Sequence, residues 1–269
     1  MTPSRTFAGI LCLTSSVTIA APVMPIYAHR GASAYAPENT TPAVQLAWEM
    51  KADAVELDTW ISSDGRVMVI HDGDTSRTAQ GVQHSIKKTP ADVLRKLDVS
   101  MDHGEKYKGT VIPFLEEFLE MLPPGKEMVL EFKDDVASVE PIRQVLEKSG
   151  KMKQVVLIGF KLDVLTAAHK AMPGLKTYYL ATAKKGVTPK AIDPDVIREA
   201  KEAGFDGVNL DHRYLTEELA KKTRDAGLAL LAWTVDKPED VERVTKLGID
   251  AITTNKPDTT RETLTKLTK

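Results

Sequence analysis

Eight short runs rich in β-branched and apolar residues recur along this chain, separated by longer segments whose apolar positions keep helical spacing. The runs are 25–30 (PIYAHR), 54–58 (AVELD), 128–133 (MVLEFK), 155–160 (VVLIGF), 176–181 (KTYYLA), 206–210 (DGVNL), 228–235 (LALLAWTV) and 250–255 (DAITTN). Such alternation is the order produced when parallel strands are joined by crossover helices. Apolar residues at consecutive strand positions suit a sheet covered on both faces. A (β/α)8 TIM barrel commonly occupies about 250 residues as one domain, so eight runs in 269 residues predict an α/β protein with that fold.

One stretch departs from the alternation. Residues 59–71 (TWISSDGRVMVIH) predict a β-hairpin turning at Asp64-Gly65, an excursion from the second run and not a parallel barrel strand. Residues 72–112 are polar and weakly periodic, and are expected to form a small insertion at the C-terminal mouth, where barrels carry substrate-selecting loops.

The connecting segments carry helix-start signals: Thr41 before Pro42, Asp193 before Pro194, and Lys237 before Pro238 with Glu239 and Asp240 following. Near 114–122, Phe114, Leu115, Phe118, Leu119 and Leu122 form one stripe expected to face the barrel wall. Three helix-to-strand junctions repeat one chemistry, KADAVELD at 51–58, AGFDGVNL at 203–210 and LGIDAITT at 247–254. Gly204 and Gly248 can end a helix in the left-handed conformation, and Asp53, Asp206 and Asp250 then lead into the strand. A chance likeness of turn composition is the alternative.

Charge excludes some partners. The 36 basic and 38 acidic residues give a net charge of -2, and no basic cluster is long enough for a nucleic-acid footprint. Cys12 is the single cysteine, which rules out a disulfide framework and cysteine-pair zinc spacings, so a metal would sit on oxygen or imidazole. Residues 1–22 have a signal-peptide layout: Arg5, an uncharged stretch from Phe7, then Ala20 and Ala21. Export to the periplasm or beyond follows if this leader is removed, leaving 23–269 as one catalytic domain without stable membrane insertion. The alternative is an N-terminal helix plugging the barrel floor of a cytoplasmic protein. Nothing in the sequence marks an oligomer interface.

In a parallel barrel, functional side chains gather where strands end, and here the strand ends are rich in ionisable groups. The first run ends in His29 and Arg30. The second ends in Glu56 and Asp58, whose two-residue spacing sends both side chains to the barrel axis if Val55 and Leu57 face the helices. The third ends in Glu131 and Lys133 with the same spacing. Like charges about 4 Å apart cost about 4 kcal/mol at an effective dielectric of about 20, so three inward carboxylates need neutralising. A hard divalent cation, Mg²⁺ or Ca²⁺, does this well. Salt bridges to Arg30 and Lys133 without metal are the alternative.

The blocks HRGASAYAPENT (29–40), ELDTWISSDGRVMVIHD (56–72), IPFLEE (112–117), LEFK (130–133) and AWTVDKPEDVERVTKLGIDAITTNKPD (232–258) together resemble the glycerophosphodiester phosphodiesterase family. The resemblance runs from residue 25 to the end. It implies that His29 and His71 are general acid and base, that Glu56, Asp58 and Glu131 bind the metal, and that Arg30 and Lys133 contact phosphoryl oxygens. Glu38 and Asn39 would stand behind the site and fix His29 and Arg30, or cap the next helix with Thr40. Trp233 would line the substrate pocket, or simply pack the mouth. His84, His103, His169 and His212 fall outside the motifs. Asn255 stands where the family often has aspartate, which puts a role for that loop in doubt.

The implied activity is cleavage of glycerophosphodiesters, small-molecule substrates, to glycerol 3-phosphate and an alcohol. Lysophospholipase D or sphingomyelinase D chemistry is a related alternative, although residues 72–112 show no long apolar run to grip an acyl chain. A non-catalytic phosphate-ester-binding protein is an alternative of a different class.

Overall fold

Strands that are apolar on both faces need two covers, and the chain supplies them by closing its sheet on itself inside a ring of helices. The computed structural model describes residues 24–101, 103–183, 186, 188 and 190–268. The leader expected over residues 1–22, with Cys12, lies outside the described residues. In chain order the strands are β1 (Ile26–His29), β2 (Ala54–Ile61), β3 (Val67–Val69), β4 (Glu127–Phe132), β5 (Val155–Gly159), β6 (Thr177–Ala181), β7 (Gly207–Asp211), β8 (Ala229–Trp233) and β9 (Ala251–Thr254). All but β3 are parallel, and β1 pairs with both β2 and β9, which closes an eight-stranded barrel. The helices are α1 (Thr41–Glu49), α2 (Ala91–Leu94), α3 (Leu115–Met121), α4 (Val139–Ser149), α5 (Leu162–Ala171), α6 (Asp195–Glu202), α7 (Glu217–Asp225), α8 (Pro238–Lys246) and α9 (Pro257–Leu267). The expected (β/α)8 TIM barrel is the observed fold.

Residue alternation sorts the strands into two layers. Val55, Leu57, Leu130, Leu157, Val208 and Ile252 point outward into the large core shared with the helices. Tyr27, Ala54, Val129, Val156, Tyr178 and Leu231 fill the barrel interior. Register aligns His29 with Glu56, and Asp58 with Glu131, on neighbouring strands. The ionisable residues therefore continue the inward face above the apolar plug.

The three repeated junctions have one physical purpose. Each aspartate accepts a backbone N–H from the start of a preceding strand: Asp53 from Ile26 at 3.0 Å, Asp206 from Thr177 at 2.8 Å and Asp250 from Leu230 at 2.8 Å. Gly204 and Gly248 take positive φ, as does Lys51 in the first copy. The likeness is thus a repeated hydrogen-bonding device at the N-terminal rim.

Thr59, Trp60 and Ile61 pair antiparallel with Val69, Met68 and Val67, which is the expected hairpin excursion. The insertion is more structured than its weak periodicity suggests. Ile86, Ala91, Leu94, Val99 and Ile112 pack on Met68 and Ile70 as a separate small core, and Lys87 ties it to Asp134 and Asp135 beyond β4, both at 2.6 Å. Phe114 departs from the expected stripe. Leu115, Phe118, Leu119 and Leu122 face the barrel, but Phe114 precedes the helix in extended conformation and packs against the small core, its ring capped by Arg66 and Arg95. Among the described residues no helix is long and apolar enough to cross a membrane.

Candidate active site

Two neighbouring strands, β2 and β4, bring Glu56, Asp58 and Glu131 together: one carboxylate oxygen from each lies within 4.8 Å of the others, and all three residues are buried. Two cations stand beside them. Lys133 Nζ is 3.0 Å from Glu131 Oε1 and 3.6 Å from Asp58 Oδ1, and Arg30 Nε is 3.2 Å from Asp58 Oδ2. Asn39 donates Nδ2 to Asp58 Oδ2 at 2.8 Å and accepts the Asp58 N–H at 3.2 Å.

The charges do not balance. Burial raises all three acids, but Arg30 and Lys133 still hold Asp58 well below the usual carboxylate range. Glu56 is raised well above its ordinary value by burial and then by the charges of Asp58 and Glu131. Glu131 is pushed up to about 8 by burial and by Asp58. Asp58 Oδ1 is also buried without a hydrogen-bond partner. An unbonded buried oxygen within a surplus of hard-oxygen donors is the chemistry of a divalent-cation site, so these residues fit one.

The local sequence explains how Arg30 reaches the acids. Arg30 and Gly31 both take positive φ, and the Arg30 N–H bonds Glu56 Oε2 at 3.0 Å. A Cβ on Gly31 would lie 2.6 Å from the Ala43 carbonyl carbon, so the turn lets α1 pack against the end of β1. Glu38 accepts from Arg30 Nη1 at 2.9 Å. Glu38 and Asn39 therefore hold Arg30 and Asp58, and neither bonds the His29 ring.

His29 is held from elsewhere. Its Nδ1 lies 2.7 Å from Asn255 Oδ1, which also accepts from Ser33 Oγ at 2.7 Å. Asn255 Nδ2 donates to Asp236 Oδ2 at 2.6 Å. Because a carboxylate only accepts, Asp236 fixes which end of the Asn255 amide faces His29, and the ring must donate through Nδ1. Nε2 is left with its lone pair, 3.9 Å from Glu56. Burial, reinforced by Arg30, lowers the ring to about 4, so it is neutral around pH 7. His71 instead has a carboxylate behind it: its Nδ1 is 2.7 Å from Asp72 Oδ1. Its pKa is also lowered, first by burial, with Arg30 and Lys133 adding and Asp58 and Asp72 opposing.

Both rings line one cavity of about 140 Å³ together with Arg30, Glu56, Glu131 and Lys133. Ile158, Phe160, Leu180 and Trp233 form its apolar wall, with Asn209 and Thr253 completing the lining. Trp233 donates Nε1 to the Asn209 carbonyl at 3.0 Å and meets the Phe160 ring edge-on at 5.5 Å. Hence the tryptophan both packs the mouth and faces the cavity. The other four histidines do not line it.

This chain matches the model of the glycerophosphoryl diester phosphodiesterase family over residues 29–259. It belongs to that family. A glycerophosphodiester phosphodiesterase of Caldanaerobacter subterraneus subsp. tengcongensis is 32% identical, over 87% of this chain and 95% of its own length. One of Bacillus subtilis is 31% identical, over 86% and 83%. In structure, the fold resembles that of an Oleispira antarctica phosphodiesterase solved with the product sn-glycerol-3-phosphate, with TM-score 0.79, 24% identity and coverage of 90% of this chain and 97% of that one.

In this glycerophosphoryl diester phosphodiesterase family member, the sequence-based reading missed the residues that orient the histidines. Asn255, at a position where the family often has aspartate, bonds the His29 ring. Its position at the end of the last barrel strand was the available signal. Asp72 adjoins His71 in the sequence. Arg77, which bonds both Asp72 and Glu38, lies in the polar insertion and carried no signal.

Proposed function

We propose that this enzyme hydrolyses glycerophosphodiesters to glycerol 3-phosphate and an alcohol, with His29 and His71 exchanging protons and Glu56, Asp58 and Glu131 holding Mg²⁺ or Ca²⁺. The observation that carries the reading is the convergence of two differently held imidazoles on one cavity with three clustered carboxylates. When bound, the cation supplies charge neutralisation at the phosphoryl oxygens and polarises the P–O bond.

A phosphodiester monoanion repels nucleophiles, so the site must offset its charge and protonate the departing oxygen. Arg30 and Lys133, standing at the carboxylates, supply positive charge to the non-bridging oxygens. The lone pair on His29 Nε2 takes the proton of the attacking hydroxyl, whether from water or from the glycerol moiety. His71, backed by the Asp72 carboxylate, gives a proton to the leaving alcohol. If the glycerol hydroxyl attacks first, the roles reverse as water opens the cyclic phosphate. Trp233 and Phe160 offer an apolar wall to the carbon skeleton of the substrate.

A water-soluble diester suits the mouth better than an acylated lipid. The apolar residues of the insertion are turned into its own small core, and Val82 is its one large hydrophobic side chain counted as exposed among the described residues. Residues 1–22 are read as a removed leader and 23–269 as one exported catalytic domain, and the mass of the secreted product would test this.

The decisive assay is release of glycerol 3-phosphate from glycerophosphocholine by metal-stripped protein and after return of Mg²⁺, Ca²⁺ or Mn²⁺. Stripped protein should be inactive and restored by cation. Full activity in chelator would remove the metal from the proposal, and no release with any cation would remove the substrate.

A further inference from the structure

We infer that Arg77, an insertion residue, is a positioning residue that locks the proton donor and the phosphate-binding arginine into one arrangement. This rests on the roles proposed above for His71 and Arg30. Arg77 donates Nε to Asp72 Oδ2 at 2.6 Å and its two terminal nitrogens to the two Glu38 oxygens at 2.8 and 2.7 Å. Asp72 uses its other oxygen to hold His71 Nδ1, and Glu38 holds Arg30 Nη1. A continuous chain thus runs His71, Asp72, Arg77, Glu38, Arg30, Asp58.

The planar guanidinium explains why arginine occupies this point. Its rigid fork donates to two carboxylates at fixed angles, which the ammonium of a lysine cannot do. Asp72 is a half-exposed loop residue, and without Arg77 it would be free to rotate away from His71 into water. Arg77 is itself 41% exposed at its side chain, and exposed ion pairs contribute little to stability. A contribution to fold and a contribution to turnover are therefore separable at this residue. In this arrangement the insertion holds a proton donor in addition to shaping the mouth.

Leaving groups provide the test. An alkyl alcohol needs protonation as it departs, whereas nitrophenolate does not. Wild type, Arg77→Ala and Arg77→Lys are compared on glycerophosphocholine and on the nitrophenyl ester of glycerophosphate at saturating Mg²⁺ or Ca²⁺, with melting temperature as a fold control. For Arg77→Ala the fall in kcat should be roughly 10- to 100-fold greater on the choline ester, a share of the usual acid–base contribution, with Arg77→Lys recovering part. Nitrogen NMR of the His71 imidazole provides a readout independent of turnover, and of the proposed function. The Nδ1–H held by Asp72 should give a distinct hydrogen-bonded signal in wild type, which weakens or is lost in Arg77→Ala. Equal losses on the two esters, or an unchanged His71 spectrum, would overturn the assignment.

Discussion

The amide of Asn255 presents its oxygen to His29 Nδ1 at 2.7 Å because its nitrogen is engaged by Asp236. Neutral behind His29 and anionic behind His71, the two holders make the rings unequal before substrate arrives. A carboxylate partner favours imidazolium more strongly than an amide oxygen does, and at His29 burial outweighs the amide and keeps the ring neutral.

Asn255→Ala should therefore lower kcat by about 10- to 100-fold, part of the contribution of a well-placed base, while KM moves little. Steady-state kinetics on glycerophosphocholine check this. Turnover within about twofold of wild type would mean that the ring needs no holder.

Metal removal should have a pH signature. Glu131, pushed up to about 8, and Glu56 hold protons in the folded metal-free protein that the unfolded chain releases near pH 4.5. With more protons bound in the folded state, stability falls as pH rises through this window. Asp58 has the opposite sign, but its stabilising contribution is lost only below about pH 4. The lowered His29 and His71 add stability as pH rises only up to the ordinary histidine range, so above it the melting temperature of chelated protein should decline from pH 7 to 8, and the rise produced by added Ca²⁺ or Mg²⁺ should grow over the same range. A cation effect equal at both ends would contradict the carboxylate site. Glu131→Gln, a neutral mimic of the protonated acid, should flatten the decline and abolish most turnover.

Gly31→Ala should destabilise severely, because a Cβ would meet the Ala43 backbone at 2.6 Å while φ is +82°. Overpacking contributes about 1–3 kcal/mol and the left-handed conformation about 1–2 kcal/mol. Urea unfolding measures the sum, and a loss under about 1 kcal/mol would show that α1 yields easily.

The opposite rim should behave differently. Asp53→Ala leaves the buried Ile26 N–H without its acceptor, a loss of about 1–3 kcal/mol in urea unfolding. Turnover of the folded fraction should match wild type, since residues at the N-terminal rim support stability and not chemistry. A drop in kcat beyond the folded fraction would deny that separation.

Periodicity, strand-end chemistry and family resemblance made the barrel, the hairpin and ten candidate residues legible in the sequence. Two-residue spacing is a local property: it places Glu56 and Asp58 on one face whatever surrounds them. The orientation of the histidines is not local. Asn255 reaches His29 only because β9 closes the barrel against β1, and Arg77 meets Asp72 and Glu38 only because the insertion folds back over the mouth on its own small core. By itself, then, the sequence determined which residue types stand at which strand ends. Which of them hold one another was decided by closure of the barrel and packing of the insertion, contacts between distant segments that no pattern within one segment encodes.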